Sequence, residues 1–240
     1  FPLSWKTWQK HVHRNLTLAL FLIVCTACSN PAEEAEQAMA AVHPKRTELE
    51  FRDLKRFPED IICGQYNAVS VMGEETGYRR FIIRGGHANK RPSDPDYAIY
   101  CSSEPAKELQ RLFGIGPVDH SNATLMQILA DLNTLSEALE SYEKDMYSLP
   151  TGKAGLEELV TSKVEVMAPR KYREGGYIEQ LPQDPWHRPY LYKASQLGGV
   201  KGTYEIKSLG ADGLAGGSGQ DADVSTDHLD YLQHILATGT

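Results

Sequence analysis

Apolar side chains recur at steps of three and four residues between residues 124 and 147. Side chains at such steps share one face of a helix, so the pattern predicts one long amphipathic helix. Its apolar face would be formed by Leu125, Ile128, Leu129, Leu132, Leu135, Leu139 and Tyr142. We expect this face to pack on an antiparallel hairpin whose arms are residues 191–193 and 203–208, where polar and apolar positions alternate.

Between residues 49 and 113 the pattern changes to short apolar runs separated by turn residues. This part predicts a helix over 104–112 and strands over 61–63, 68–72, 78–83 and 97–101. The predicted fold class is therefore α+β, with a long helix packed on a small antiparallel sheet after a small, mostly β module. The predicted domain boundaries place this module at 49–116 and the second domain at 117–240.

The first 27 residues have the pattern of a secretory leader. Basic residues precede an apolar run over 16–24 that is too short to cross a bilayer as a helix. The following Ala27-Cys28 resembles a bacterial lipobox, although Cys25 replaces the usual leucine, and predicts Cys28 as a lipidated first residue. Cleavage after Ala27 by an ordinary signal peptidase, or a short buried helix, are the alternatives. Residues 28–48 are then predicted to be a tether, with a short helix over 32–42 as an option.

Composition narrows the class of function. Charged residues make up 24% of the chain and apolar residues 41%, which is typical of soluble globular proteins. The net charge is -7, and no basic stripe with interleaved aromatic residues occurs after the leader, so nucleic acid is not expected as a partner. No Ser-His-Asp order, paired catalytic carboxylates or zinc-type cluster is recognisable, so we do not expect an enzyme.

Two cysteines, Cys63 and Cys101, lie at the edges of predicted strands of the module. Cysteines of exported proteins usually pair, and closing a loop of this length would stabilise the fold by about 4 kcal/mol. We therefore predict a disulfide bond between them. A cysteine nucleophile would need a neighbouring base, and His87 is the one candidate in the module.

A glycine-dense loop follows the strand at 203–208 and carries Asp212, Asp221 and Asp223. Three neighbouring carboxylates repel one another unless a cation lies between them, and hard oxygen ligands in a flexible loop suit Ca²⁺. The spacing differs from that of an EF-hand. The loop therefore predicts a calcium site, and the alternative is a solvated acidic loop.

Several motifs agree in order with one known family. Residues 208–213 and 221–224 resemble the C-terminal calcium loop of the major pseudopilin of type II secretion systems. Residues 135–147 are similar to the end of the long helix of that family. Residues 176–190 are similar to its Leu-Pro-x-Asp-Pro-Trp motif, with His187 at a position where the family commonly has glycine.

The resemblance implies a calcium ion held by the side chains of Asp212, Asp221 and Asp223, with main-chain oxygens from Leu209 and Val224. It also implies a structural or interaction role in protein secretion or envelope assembly. The predicted leader adds a membrane anchor on an extracytoplasmic lipoprotein, with secretion or envelope proteins as partners. The alternative is that the module at 49–116 binds an envelope ligand and the second domain is a scaffold.

The chain departs from this family at both sides of the matching region. The residues ahead of 124 do not follow the prepilin leader and long apolar helix with which a pseudopilin begins. Beyond the loop, an amphipathic helix is predicted from Thr226, with Leu229, Leu232, Ile235 and Leu236 on one side. This helix is an addition to the family pattern, either packed internally or available to a partner.

Overall fold

The computed structural model describes residues 30–45, 47–150, 154–160, 172–195 and 202–239. The helices are α1 (Pro31–Ala41), α2 (Asp94–Tyr100), α3 (Pro105–Phe113), α4 (Ala123–Met146) and α5 (Leu229–Thr238). The strands are β1 (Glu48–Phe57), β2 (Ile61–Val69), β3 (Arg79–Arg84), β4 (His87–Asn89), β5 (Leu191–Ser195), β6 (Thr203–Ser208) and β7 (Val224–Ser225). The predicted leader and Cys28 lie outside the described residues.

The first four strands form one antiparallel sheet in the order β1-β2-β3-β4. Helix α1 packs on one face of this sheet, where Ala35 and Met39 are fully buried against Ile62 and Phe81. Residues 31–41, predicted as a tether with an optional short helix, are thus helical and part of a core. Their apolar positions lie four residues apart and share one helix face, which is enough to bury a short helix on a sheet. We call residues 31–114 the N-terminal module.

The strand predicted over 97–101 is wrong, because these residues belong to helix α2 and its C-terminal end. Ser93 caps this helix in a capping box with Asp96, and Pro95 lies in its first turn. These are strong helix-start signals that outweigh the β propensity of Tyr and Ile. The structure also joins the predicted strands at 61–63 and 68–72 into β2, which ends at Val69. The helix predicted over 104–112 is confirmed as α3.

The predicted disulfide bond is present between Cys63 of β2 and Cys101, which follows α2. It closes a sequence separation of 38 residues. Together with Ile61, Ile82 and Tyr100, Cys63 forms a buried cluster on the sheet face opposite α1. The disulfide therefore holds α2 on that face.

The long helix and the hairpin are confirmed, and together they form the C-terminal domain, residues 115–239. Every predicted apolar position of α4 is buried, and the face packs in one core with Tyr190, Ile206 and Val224. Strands β5, β6 and β7 form an antiparallel sheet in that order. The hairpin tip, residues 196–201, lies outside the described residues.

Helix α5 packs internally and joins the two parts of the chain. Leu232 and Ile235 are buried in the core of α4, whereas Tyr231 and His234 face the N-terminal module. The Tyr231 hydroxyl donates to Asp96 Oδ1 at 2.7 Å, and His234 Nδ1 lies 2.5 Å from Glu59 Oε2. Residues from Pro31 onward accordingly form one unit. Among the described helices, none has the length and apolar character needed to span a membrane.

Candidate metal centre

The loop with the predicted calcium ligands, residues 209–223, connects β6 to β7. Its two ends are held together because Ser208 pairs with Val224, and Lys207 with Ser225, in the antiparallel ladder. Alternation along β6 buries Ile206 and Ser208, which fixes the strand on the core. Leu209 and Val224, the predicted main-chain ligands, therefore lie at the closed base of the loop.

Two glycines let the loop fold back on itself. Gly210 has φ +64, and a Cβ there would lie 2.5 Å from the main-chain oxygen of Asp221. Gly217 has φ +83, and its Cβ would lie 2.3 Å from the same oxygen. Both the backbone conformation and the lack of space require glycine. The main chain of Asp221 is therefore enclosed between the two sides of the loop.

The three predicted carboxylates differ in environment. Asp212 is exposed and accepts a hydrogen bond from the Leu214 N–H at 2.9 Å, and Asp221 is exposed as well. Asp223 is partly buried, and its Oδ1 has no hydrogen-bond partner among the described residues. Within those residues no group of three or more His, Cys, Asp or Glu side chains is arranged to hold a metal ion. The structure thus does not bring the three carboxylates together.

Lys207 supplies the positive charge nearest to Asp223 in the ion pairs of the described residues. Its Nζ lies 3.0 Å from Glu205 Oε1 and 3.8 Å from Asp223 Oδ2. The hydrogen bond to Glu205 is the main cause that raises the pKa of Lys207, and the charges of Glu205 and Asp223 add to it. Lys207 therefore faces one oxygen of Asp223 and leaves Oδ1 unpaired. A buried carboxylate oxygen without a hydrogen-bond partner is a ligand that suits a hard cation such as Ca²⁺.

A turn from the Leu-Pro-x-Asp-Pro-Trp motif supports the base of the loop. The buried Asp184 carboxylate accepts hydrogen bonds from the N–H groups of Trp186, at 3.0 Å, and Arg188, at 2.9 Å. The Arg188 guanidinium donates to the Gly210 carbonyl and lies 3.4 Å from Asp184 Oδ2. The sequence identified the motif that contains Trp186, but it did not predict the roles of Asp184 and Arg188. The available signal was the motif itself, since an Asp before Pro commonly caps the N–H groups of a turn.

His187 occupies the position of this turn where the resembling family has glycine. Its backbone has φ 62, in the left-handed region that favours glycine. Its N–H donates to the Asp184 carbonyl at 2.8 Å, so the turn is closed by a main-chain hydrogen bond. Its side chain is exposed, and it belongs to no metal-binding group of the described residues.

Comparison with known proteins finds similarity to one family over the C-terminal domain. The family model described as "Type II secretion system (T2SS), protein G" matches residues 115–227. The chain is 41% identical over 111 residues to a type II secretion system core protein G of Vibrio cholerae, which covers 46% of this chain and 73% of that protein. It is 40% identical over 94 residues to the protein of the same name in Pseudomonas aeruginosa, which covers 39% and 64%.

A solved structure is also similar. It is the crystal structure of the major pseudopilin from the type 2 secretion system of enterohaemorrhagic Escherichia coli, with 34% sequence identity over 44% of this chain and 88% of that chain. The TM-score is 0.35. The N-terminal module and helix α5 lie outside the residues that the family model matches.

Proposed function

This chain belongs to the type II secretion system protein G family, and from that membership we propose that it serves as a structural component of a secretion apparatus in the cell envelope. The observation that carries the proposal is the 41% identity over 111 residues to a secretion core protein. The chain spans 73% and 64% of the length of the two relatives described above, so their role is transferred to it as a proposal. In this role the chain would bind other proteins of the apparatus and would not catalyse a reaction.

The proposal includes a calcium ion in the loop at 209–223. The Asp212, Asp221 and Asp223 carboxylates and the carbonyls of Leu209 and Val224 would hold it. Three features support this set: the unpaired Asp223 Oδ1, the glycine-enforced fold around Asp221, and the ladder that closes the loop base. When bound, the ion supplies the positive charge that lets these carboxylates approach one another.

The calcium proposal is tested by unfolding the full chain in calcium and in EGTA. Binding to the folded state alone stabilises it by about 2.7 kcal/mol at a free calcium concentration of 100 Kd. We expect Asp223→Asn to remove most of this gain, and the exposed Asp230→Asn, outside the loop, to keep it. Equal stability of the wild-type chain in calcium and EGTA would contradict the calcium site.

The secretion role is tested separately in the native host. Deletion of the gene should reduce export of the proteins that the secretion system carries, and the wild-type gene should restore it. Restoration by the Asp223→Asn variant would separate the structural role from the calcium ion. Unchanged export in the deletion strain would contradict a role in secretion.

We further propose that the chain is a lipoprotein anchored through Cys28. The support is the basic and apolar pattern of residues 1–27 followed by Ala27-Cys28. Acyl chains on this residue would hold the protein to a membrane by burial of about 0.8 kcal/mol per CH₂. Metabolic labelling with palmitate should be present in the wild-type chain and lost in Cys28→Ala. Unchanged labelling of Cys28→Ala would contradict the anchor at Cys28.

A further inference from the structure

The N-terminal module ends directly against the candidate calcium loop. Gly114, which ends α3 with φ +72, accepts a hydrogen bond from the N–H of Gly219 at 2.8 Å. A Cβ on Gly114 would lie 2.5 Å from the main-chain oxygen of Gly217 and 3.1 Å from Cα of Ser218. The two main chains are therefore in contact, with no room for a side chain between them.

The residues on either side of Gly114 also pack in the core of the C-terminal domain. The Phe113 ring lies 4.6 Å from the His228 ring and stacks on Tyr231 at 6.1 Å, measured between ring centroids. Ile115 is buried in the same core as Val224. The end of the module is thus seated by aromatic packing on one side and by the loop on the other.

The loop residues in this contact lie between proposed ligand positions. Gly217, Ser218 and Gly219 stand between Asp212 and Asp221 in sequence. In the structure this part of the loop is exposed, and its main chain is held by local hydrogen bonds from the Asp221 N–H to the Ser218 carbonyl and from the Asp223 N–H to the Gly216 carbonyl, both at 3.2 Å. An ion that fixes both carboxylates would restrict the chain between them, and with it the surface on which Gly114 rests.

We propose that calcium binding in the loop at 209–223 controls how firmly the N-terminal module is seated on the C-terminal domain. The inference rests on the calcium site proposed above and adds a consequence specific to this chain, since the module lies outside the family match. With calcium, α3 is held against an ordered loop. Without calcium, the loop is less restricted, and the C-terminal end of α3 separates from it more often. By thermodynamic reciprocity, a firmly seated module also strengthens calcium binding.

Hydrogen exchange of the full chain measures this coupling directly. Titration calorimetry first gives the calcium Kd, and exchange of backbone amides is then followed at 100 Kd calcium and in EGTA. An opening that requires release of the ion is suppressed about 100-fold under these conditions. We expect slowing of this order at the α3 amides, residues 105–113, as well as in the loop.

Gly114→Ala and Gly239→Ala form a matched pair of variants. Both glycines end a helix in the left-handed region, with φ +72 and φ +66, but a Cβ on Gly239 meets nothing within 4 Å. Both variants therefore place alanine in the left-handed region, and only Gly114→Ala presses on the loop. We expect Gly239→Ala to keep the calcium-dependent slowing in α3, and Gly114→Ala to reduce it to less than about threefold while the loop still responds.

If Gly114→Ala does not fold, Phe113→Leu takes its place. This change removes the ring contact with His228 without touching the loop, and we expect it to lower the calcium response of α3. Calcium binding without any change in α3 exchange in the wild-type chain would overturn the coupling and leave the calcium site intact. A full response in Gly114→Ala would also overturn it. Absence of calcium binding in calorimetry would overturn both proposals.

Discussion

The carboxylate of Asp184 accepts a hydrogen bond from the hydroxyl of Ser208 at 2.9 Å. Ser208 is the last residue of β6 before the candidate calcium loop, and both side chains are only 2% exposed. Asp184 also holds the N–H groups of Trp186 and Arg188, so one carboxylate joins the motif turn to the loop base. The loop is positioned from outside as well as by its own glycines.

Replacing Asp184 should therefore destabilise the C-terminal domain strongly. Asp184→Ala leaves a buried hydroxyl and two N–H groups without their acceptor and removes the carboxylate that lies beside the Arg188 guanidinium. We expect a loss of about 3–5 kcal/mol in the free energy of unfolding, measured by urea denaturation in EGTA. The exposed Asp230→Ala serves as control. A loss below 1 kcal/mol for Asp184→Ala would show that the network is unimportant for stability.

His187→Gly should stabilise the protein. The histidine is held at φ 62, and a non-glycine residue in the left-handed region costs about 1–3 kcal/mol. Relief of this strain is offset in part, by about 0.5–1 kcal/mol, because glycine has more conformational freedom in the unfolded chain. We expect a net gain of about 1 kcal/mol in urea denaturation. His187→Ala removes the ring but keeps the strain, and an equal gain in that variant would rule out backbone strain as the cause.

Removing the Cys63–Cys101 disulfide should loosen the N-terminal module. The bond closes a sequence separation of 38 residues, for which the chain-entropy model gives about 4 kcal/mol. We expect the double variant Cys63→Ser/Cys101→Ser to lose stability of this order, and dithiothreitol to act on the wild-type chain but not on the variant. Cys25→Ser should behave like wild type in both conditions. A double variant as stable as the wild-type chain would contradict this account.

Stability should depend on pH through His228. Burial lowers the pKa of its imidazole, with smaller and partly opposing effects from Asp227, Lys207, Glu205 and Asp223. The ring Nδ1 accepts a hydrogen bond from the Ser225 N–H at 3.1 Å, which requires the neutral form. The unfolded chain therefore takes up a proton near pH 6.5, before the folded chain does. The stability from this group is complete above that pH and is lost as the pH falls toward the lower, folded pKa.

Urea denaturation between pH 8 and pH 5 measures this dependence. Between the two pKa values the wild-type chain should lose up to about 1.4 kcal/mol per pH unit more than His228→Gln. The exposed His120→Gln should retain the wild-type slope. Identical slopes for the wild-type chain and His228→Gln would show that this ring does not titrate differently in the two states.

Local patterns predicted the elements that are regular on their own. Helix α4 has an apolar position at nearly every third or fourth residue, so its buried face was predicted residue by residue. The strand prediction at 97–101 failed because the capping box at Ser93 starts a helix that continues through this segment. Burial of α1 needed knowledge of the sheet on which Ala35 and Met39 lie. The predicted ligand residues lie in one loop and at the start of β7, but the position of the loop base depends on Asp184 and Arg188, which are remote from it in sequence.

Helix α5 has a consequence for the order of folding. Its His234 contacts Glu59 across a sequence separation of 175 residues, and its Tyr231 contacts Asp96 across 135. Contacts so distant in sequence form late, because the intervening chain must first be brought together. Because the chain is synthesised from its N-terminus, the N-terminal module lacks its contacts with α5 until residues 229–238 have been made. Until then, the Tyr100 ring lacks its contacts with the Tyr231 and His234 rings and is held only from within the module.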